Sequence, residues 1–116
     1  MDLKLIMALV ADEKTETVLH AAREAGATGS TVITSVRGEG LQPVKTFLGL
    51  EVASQRDVLM FIVAAPRARE ILETIAAAGR FDEDPGSGIA FQVGIEDAVG
   101  LRTQAGTILK EIEDSI

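Results

Sequence analysis

Asp57-Val-Leu-Met-Phe-Ile-Val-Ala-Ala65 is the most continuously apolar stretch of the chain, and Pro66 closes it. A short apolar run rich in β-branched residues and stopped by proline reads as a strand covered on both faces. The proline suits the first turn of a following helix, where its missing N–H has no partner to lose. Beyond it Ala68, Ile71, Leu72 and Ile75 share one face of a helix over 67–78, with Gly79 placed to stop it. Upstream, Leu3 to Val10 is apolar at nearly every position and reads as a second central strand. Val18, Leu19, Ala22 and Ala25 then fall at helical spacing over 14–25, with Thr15 as the candidate N-cap and Gly26 as the stop. The β-branched run from Ser30 to Arg37, between Gly29 and Gly38, predicts another strand. Ile89 to Ile95 alternates apolar residues with Ala, Gln and Gly, as a half-buried strand does.

The order is therefore βαββαβ, and its halves resemble each other: the pairs Ala25-Gly26 and Ala78-Gly79 lie 53 residues apart. Two interleaved split βαβ units in one antiparallel sheet give an α+β, ferredoxin-like sandwich with both helices on one face. The first and third strands are apolar on both sides, and no third long helix is available for the other face. Self-association is the expected cover. After Arg102 the stripe Ile108, Leu109, Ile112 and Ile116 runs among Lys110, Glu111, Glu113 and Asp114. It predicts a short C-terminal helix in a tail over 104–116, following a domain over 1–103.

The chain has 116 residues, with 18 acidic against 11 basic ones and a net charge of −7, which disfavours nucleic acid as a partner. It holds no Cys, Trp or Tyr and a single His, which removes disulfides, thiolate nucleophiles, His-based zinc sites and most stacking platforms. His20 falls mid-helix without a local nucleophile, so no catalytic residue is assigned. Met1-Asp2-Leu3-Lys4 carries no targeting signal, and a cytoplasmic protein is expected.

Two loops can carry chemistry. The segment 39–56 is far longer than a hairpin needs. It holds Leu41, Val44, Phe47, Leu48, Leu50 and Val52, enough apolar surface to dock on a partner or to pack as a hairpin arm. The turn Arg80-Phe-Asp-Glu-Asp-Pro-Gly-Ser-Gly88 contains Gly86-x-Gly88, and Gly38-x-Gly40 repeats the theme at a strand exit. Glycines let backbone N–H groups converge on an anion, although ordinary turns use them too. Arg37, Arg56, Arg80 and Arg102 fall near loop ends and can supply positive charge. Consecutive acids such as Asp82, Glu83 and Asp84 usually point to water, so no metal site is assigned.

The joint spacing of Ala-Gly-x-Thr-Gly-x-Thr-Val at 25–32, Val-Arg-Gly-x-Gly-x-Gln at 36–42, the long loop, the strand ending at Pro66, the Gly-x-Gly turn and Leu-Arg-Thr at 101–103 resembles the PII signal-transduction proteins. The resemblance implies a homotrimer of ferredoxin-like subunits that binds an adenine nucleotide between subunits. It also implies a long loop that engages a regulated target, a membrane transporter among the candidates. Carried over by motif, Thr31 lies beside the base, Gly38 and Gly40 approach the phosphates, Gly86 and Gly88 form the phosphate turn, and Arg102 pairs with phosphate. Leu41, Phe47, Leu48 and Leu50 become the partner-binding surface, and Gln42 stands where the family holds magnesium and 2-oxoglutarate. The chain departs from the pattern in three places. Ile89 replaces the lysine of the family's Gly-Asp-Gly-Lys turn, Gly100 stands where a second arginine is usual, and the long loop has no Tyr. With the acidic turn, these departures imply a relative outside the nitrogen-regulating branch that needs no cofactor and takes ADP or AMP in preference to ATP as effector. A small ferredoxin-like enzyme and a trimer resembling the CutA metal-tolerance proteins are the competing readings.

Overall fold

The computed structural model describes residues 2–36 and 55–100, together with the backbone of 46–47 and 50–51. Strand β1 (Leu3–Ala11) passes through a 3-10 turn (Asp12–Lys14) into helix α1 (Thr15–Glu24). Strands β2 (Thr31–Val36), β3 (Thr46–Phe47), β4 (Leu50–Glu51) and β5 (Arg56–Ala64) follow, then helix α2 (Ala65–Gly79) and strand β6 (Gly88–Ile95). Four strands form one sheet in the order β2-β5-β1-β6, every neighbouring pair antiparallel. This interleaving of the two halves is the ferredoxin-like sandwich that the element order predicts. Strands β3 and β4 form a separate two-residue ladder, Thr46 opposite Glu51 and Phe47 opposite Leu50. The predicted helix over 104–116 lies outside the described residues.

Period-2 alternation decides which side chains enter the core. Ile6, Ala8 and Val10 of β1 and Leu59, Phe61 and Val63 of β5 are buried on one face, against Val18, Leu19 and Ala22 of α1 and Ala68, Ile71 and Ile75 of α2. Ile71 and Ile75 are wholly buried, and each contributes about 1.5–3 kcal/mol by leaving water. On the opposite face Leu5 lies between Ile62 and Val93, and Met7 between Met60 and Phe91. Ile62, Phe91 and Val93 are 43%, 38% and 43% exposed, so the sheet keeps an apolar face that neither described helix covers. Among the described residues no helix is long and apolar enough to cross a membrane.

Two helix ends differ from the sequence reading. Thr15 is not a cap: the position before α1 is Lys14, which makes no side-chain cap bond, and the Thr15 hydroxyl donates instead to Asp57 Oδ2 at 2.6 Å. Gly79 does not stop α2 by turning left-handed. It is the last helical residue, and the left-handed position is Arg80 at φ 55°. Gly79 is needed for room, since a Cβ there would sit 2.3 Å from Phe81 Cε1. At α1 the expected stop holds, with Gly26 at φ 111°. Pro66 occupies the first turn of α2 as predicted.

Candidate functional site

The chemistry gathers at one end of the sheet, where β1 turns into α1. The Ala11 N–H donates to the Ser87 carbonyl at 3.0 Å and the Asp12 N–H to the Gln55 carbonyl at 3.4 Å. These bonds bring three segments together: the corner after β1, the entry to β5 and the 80–88 turn. Arg56 lies at their centre. It is only 5% exposed, and its Nη1 donates to the Gly86 carbonyl at 2.7 Å. Its Nε is buried with no partner among the described residues. A buried guanidinium with an unused donor is expensive and calls for a partner.

Gly86 beside it has φ 76°, a conformation that favours glycine, and turns its carbonyl to Arg56. Gly88 answers a different demand. As the first residue of β6 it has no room for a side chain, since a Cβ would meet Phe81 Cε1 at 2.5 Å and the Leu9 carbonyl oxygen at 2.9 Å. The two glycines of Gly86-x-Gly88 thus have separate causes, one conformational and one of packing.

The acids of the turn are also unequal. Asp82 and Glu83 are exposed as expected. Asp84 is not simply solvated: Lys14 Nζ stands 3.3 Å from its Oδ2, and Arg80 Nε stands 3.2 Å from the same atom. The hydrogen bond from Lys14, opposed by desolvation and aided by Arg80, holds the Asp84 carboxyl below its ordinary value. Arg80 is thereby committed to an ion pair. His20 is exposed on α1, 3.8 Å from Glu24 Oε1.

Thr31 opens β2 and is exposed, opposite Met60 of β5. Arg56 pairs with Val36 at the other end of β2, roughly 13 Å further along the strand at about 3.3 Å per residue. Within one chain, then, the structure does not bring Thr31 to the Gly86 turn. Gly38, Gly40, Leu41, Leu48 and Arg102 lie outside the described residues, and Phe47 and Leu50 are described in backbone only. Sequence reading counted Arg56 merely as one of several cations near loop ends, and it missed Asp57 altogether. The signal was present in Gln55-Arg56-Asp57, three polar residues at the head of a strand that is otherwise apolar.

The site is therefore a strand-end corner of a ferredoxin-like sandwich, with one buried arginine beneath a glycine turn. Residues 3–105 match the family model described as Nitrogen regulatory protein P-II. The nitrogen regulatory protein GlnK2 of Haloferax mediterranei is 34% identical over 106 residues, covering 87% of this chain and 85% of that protein. A PII-like signalling protein from Thermus thermophilus superposes with a TM-score of 0.58 at 23% identity, covering 82% of this chain and 91% of that one. CPII from Thiomonas intermedia, solved bound to ADP, AMP and acetate, superposes with a TM-score of 0.62 at 14% identity, covering 83% and 90%. The chain belongs to the P-II family of regulatory signalling proteins.

Proposed function

We propose that this chain is a cytoplasmic, non-enzymatic sensor. It assembles as a homotrimer over its open sheet face, binds an adenine nucleotide at the subunit boundary, and passes its ligand state to a regulated protein through the loop 39–56. The observation that carries the reading is Arg56, buried beneath Gly86 with a donor that no described residue uses. A phosphate is a fitting complement, because a guanidinium offers it two parallel donors. The exposed Ile62, Phe91 and Val93 support the assembly, since a monomer would leave this apolar face in water. That CPII, a relative in fold, binds ADP and AMP supports the nucleotide class. On this reading Thr31 meets the base, and Gly38, Gly40, Gly86, Gly88 and Arg102 surround the phosphates. Leu41, Phe47, Leu48 and Leu50 face the regulated partner, for which a membrane transporter is the class to try first. With Ile89 in place of a cation beside the turn, ADP and AMP are favoured over ATP.

Titration calorimetry with ADP, AMP and ATP, paired with light scattering behind a sizing column, tests the proposal. The expected result is a trimer that takes up ADP or AMP more tightly than ATP. A monomer, or a trimer that takes up none of the three, refutes it.

A further inference from the structure

Ser35 has φ 59°, a region seldom occupied by residues other than Gly, Asn and Asp. It sits in a bulge: Ile33 is opposite Val58 and Val36 is opposite Arg56, so Thr34 and Ser35 together face the single residue Asp57. A regular ladder would instead place Val36 opposite Gln55. The extra residue inverts the side-chain parity, which sets Val36 on the face shared by Ile33 and Arg56. Relaxing the bulge would turn Val36 to the other face, together with any strand continuing from it. Measured against the regular ladder, the end of β2 adopts the register that needs an uncommon backbone.

Asp57 is placed to select that register. Asp57 is only 8% exposed and lies on the helix-covered face, in step with Leu59 and Phe61. Its Oδ1 accepts the Ser35 backbone N–H at 3.3 Å, and its Oδ2 accepts the Thr15 hydroxyl at 2.6 Å. Thr15 is itself buried in the first turn of α1, so the carboxylate is anchored to a helix. Among the described residues no cation pairs with Asp57. An apolar pair would serve core cohesion at less desolvation cost, so cohesion does not explain the group.

We propose that Asp57 is a positioning residue. By holding the left-handed bulge at Ser35 against α1, it fixes which face of the sheet Val36 takes at the end of β2. Its consequence for ligand binding rests on the proposed placement of Gly38 and Gly40 at the phosphates, whereas the latch itself does not.

The test has a ligand-free arm and an ADP arm. In the first, NMR amide exchange and cross-strand contacts are compared for the natural chain, Asp57→Ala, and Asp57→Ala combined with Ser35→Gly. Asp57→Ala should speed exchange at Ser35 by roughly ten- to a hundredfold, as loss of a hydrogen bond to a charged acceptor implies. It should also move the partner of Val36 from Arg56 to Gln55. Adding Ser35→Gly should restore the Val36–Arg56 pairing, because glycine holds the left-handed conformation without a latch. A residue that merely supported the fold would lose stability without a register change, and glycine at position 35 would not rescue it. If Asp57→Ala does not fold, Thr15→Val keeps the carboxylate, releases it from α1 and is read in the same way. An unchanged Val36–Arg56 pairing in the folded variant overturns the proposal. In the second arm ADP affinity should fall at least about tenfold in Asp57→Ala and recover with Ser35→Gly. Unchanged affinity, in a protein whose natural form binds ADP, overturns the positioning role. If the natural chain takes up no ADP, the nucleotide reading fails, and the ligand-free arm still judges the latch.

Discussion

Replacing Arg56 by Met separates a ligand-binding arginine from a structural strut, because the two roles predict opposite patterns of stability and affinity. Methionine keeps an unbranched side chain of similar reach and removes the charge with every donor. The folded chain loses the bond from Nη1 to the Gly86 carbonyl, worth about 1.5–3 kcal/mol for a charged donor. It also sheds a buried Nε–H that has no partner among the described residues, a burden of about 1–3 kcal/mol, along with desolvation of the guanidinium. The opposing effects are of one size, so the net change in stability should stay within about 1 kcal/mol, or at most about 6 °C in melting temperature for a domain of this size. Affinity has no such offset. If Arg56 holds phosphate, its loss should weaken ADP ten- to a hundredfold, as removal of about 1.5–3 kcal/mol requires. Differential scanning fluorimetry and titration calorimetry on the same preparation read both quantities. A fall in melting temperature beyond about 10 °C with ADP affinity unchanged would refute the reasoning. Arg56 would then be a strut for the 80–88 turn alone.

Ile62→Glu should convert the proposed trimer to monomer, because it sets an unpaired carboxylate on the open face, where the natural residue is 43% exposed in the isolated chain. An unchanged mass by light scattering would remove that face from the interface. Gly79→Ala should destabilise by about 1–3 kcal/mol through its clash with Phe81, and Phe81→Leu in the same chain should recover part of the loss. Equal melting temperatures for the natural chain and Gly79→Ala would show that the ring moves aside freely. Asp84 gives a pH dependence whose sign follows from its depressed carboxyl. Its stabilisation is fully present above the unfolded value of 3.8 and is lost as pH falls through the lower folded value. Asp84→Asn should therefore flatten the acid limb of the stability curve below about pH 4. Lys14→Met should do the same, since the Lys14 hydrogen bond is the main cause of the shift. Superimposable acid limbs would dissociate the pairing from stability.

The architecture was legible because burial writes itself into sequence period. Leu3–Val10 and Asp57–Ala65 read as doubly covered strands, and the structure makes them the two central strands of the sheet. The bare face was legible for the same reason, since Leu5, Met7, Met60 and Ile62 had no helix left to meet. Local caps were harder to read, because they depend on partners remote in sequence. Thr15 has the composition of an N-cap, but Asp57, 42 residues away, takes its hydroxyl. Gly79 looks like a helix stop, although its cause is the ring of Phe81 two residues on. The bulge at Ser35 left no mark in composition at all, since Thr-Ser-Val is ordinary strand sequence. Arg56 was visible as a cation near a loop end. That it is buried beneath a glycine turn depends on the antiparallel register of β1 with β5 and β6, which no local pattern encodes.

The acidic turn takes on a different meaning once its ion pairs are known. Three consecutive negative charges at a phosphate turn would repel a polyphosphate strongly if all were free. Asp84, however, is met by both Lys14 and Arg80, so these three groups carry one net positive charge. What remains is Asp82 and Glu83, which are exposed and screened by salt within about 10 Å. Repulsion is thus a weaker barrier to a third phosphate than the sequence suggests, and the supply of cations matters more. Lys14 and Arg80 are committed to Asp84. Among the described residues this leaves Arg56 as the cation beneath the turn, and one guanidinium grips one phosphate group well. Ile89, next to the turn in sequence, offers no charge, so on the proposed reading a third phosphate finds no described partner. On the proposed nucleotide reading, a preference for ADP or AMP over ATP would therefore rest on the supply of cations among the described residues more than on surplus acid.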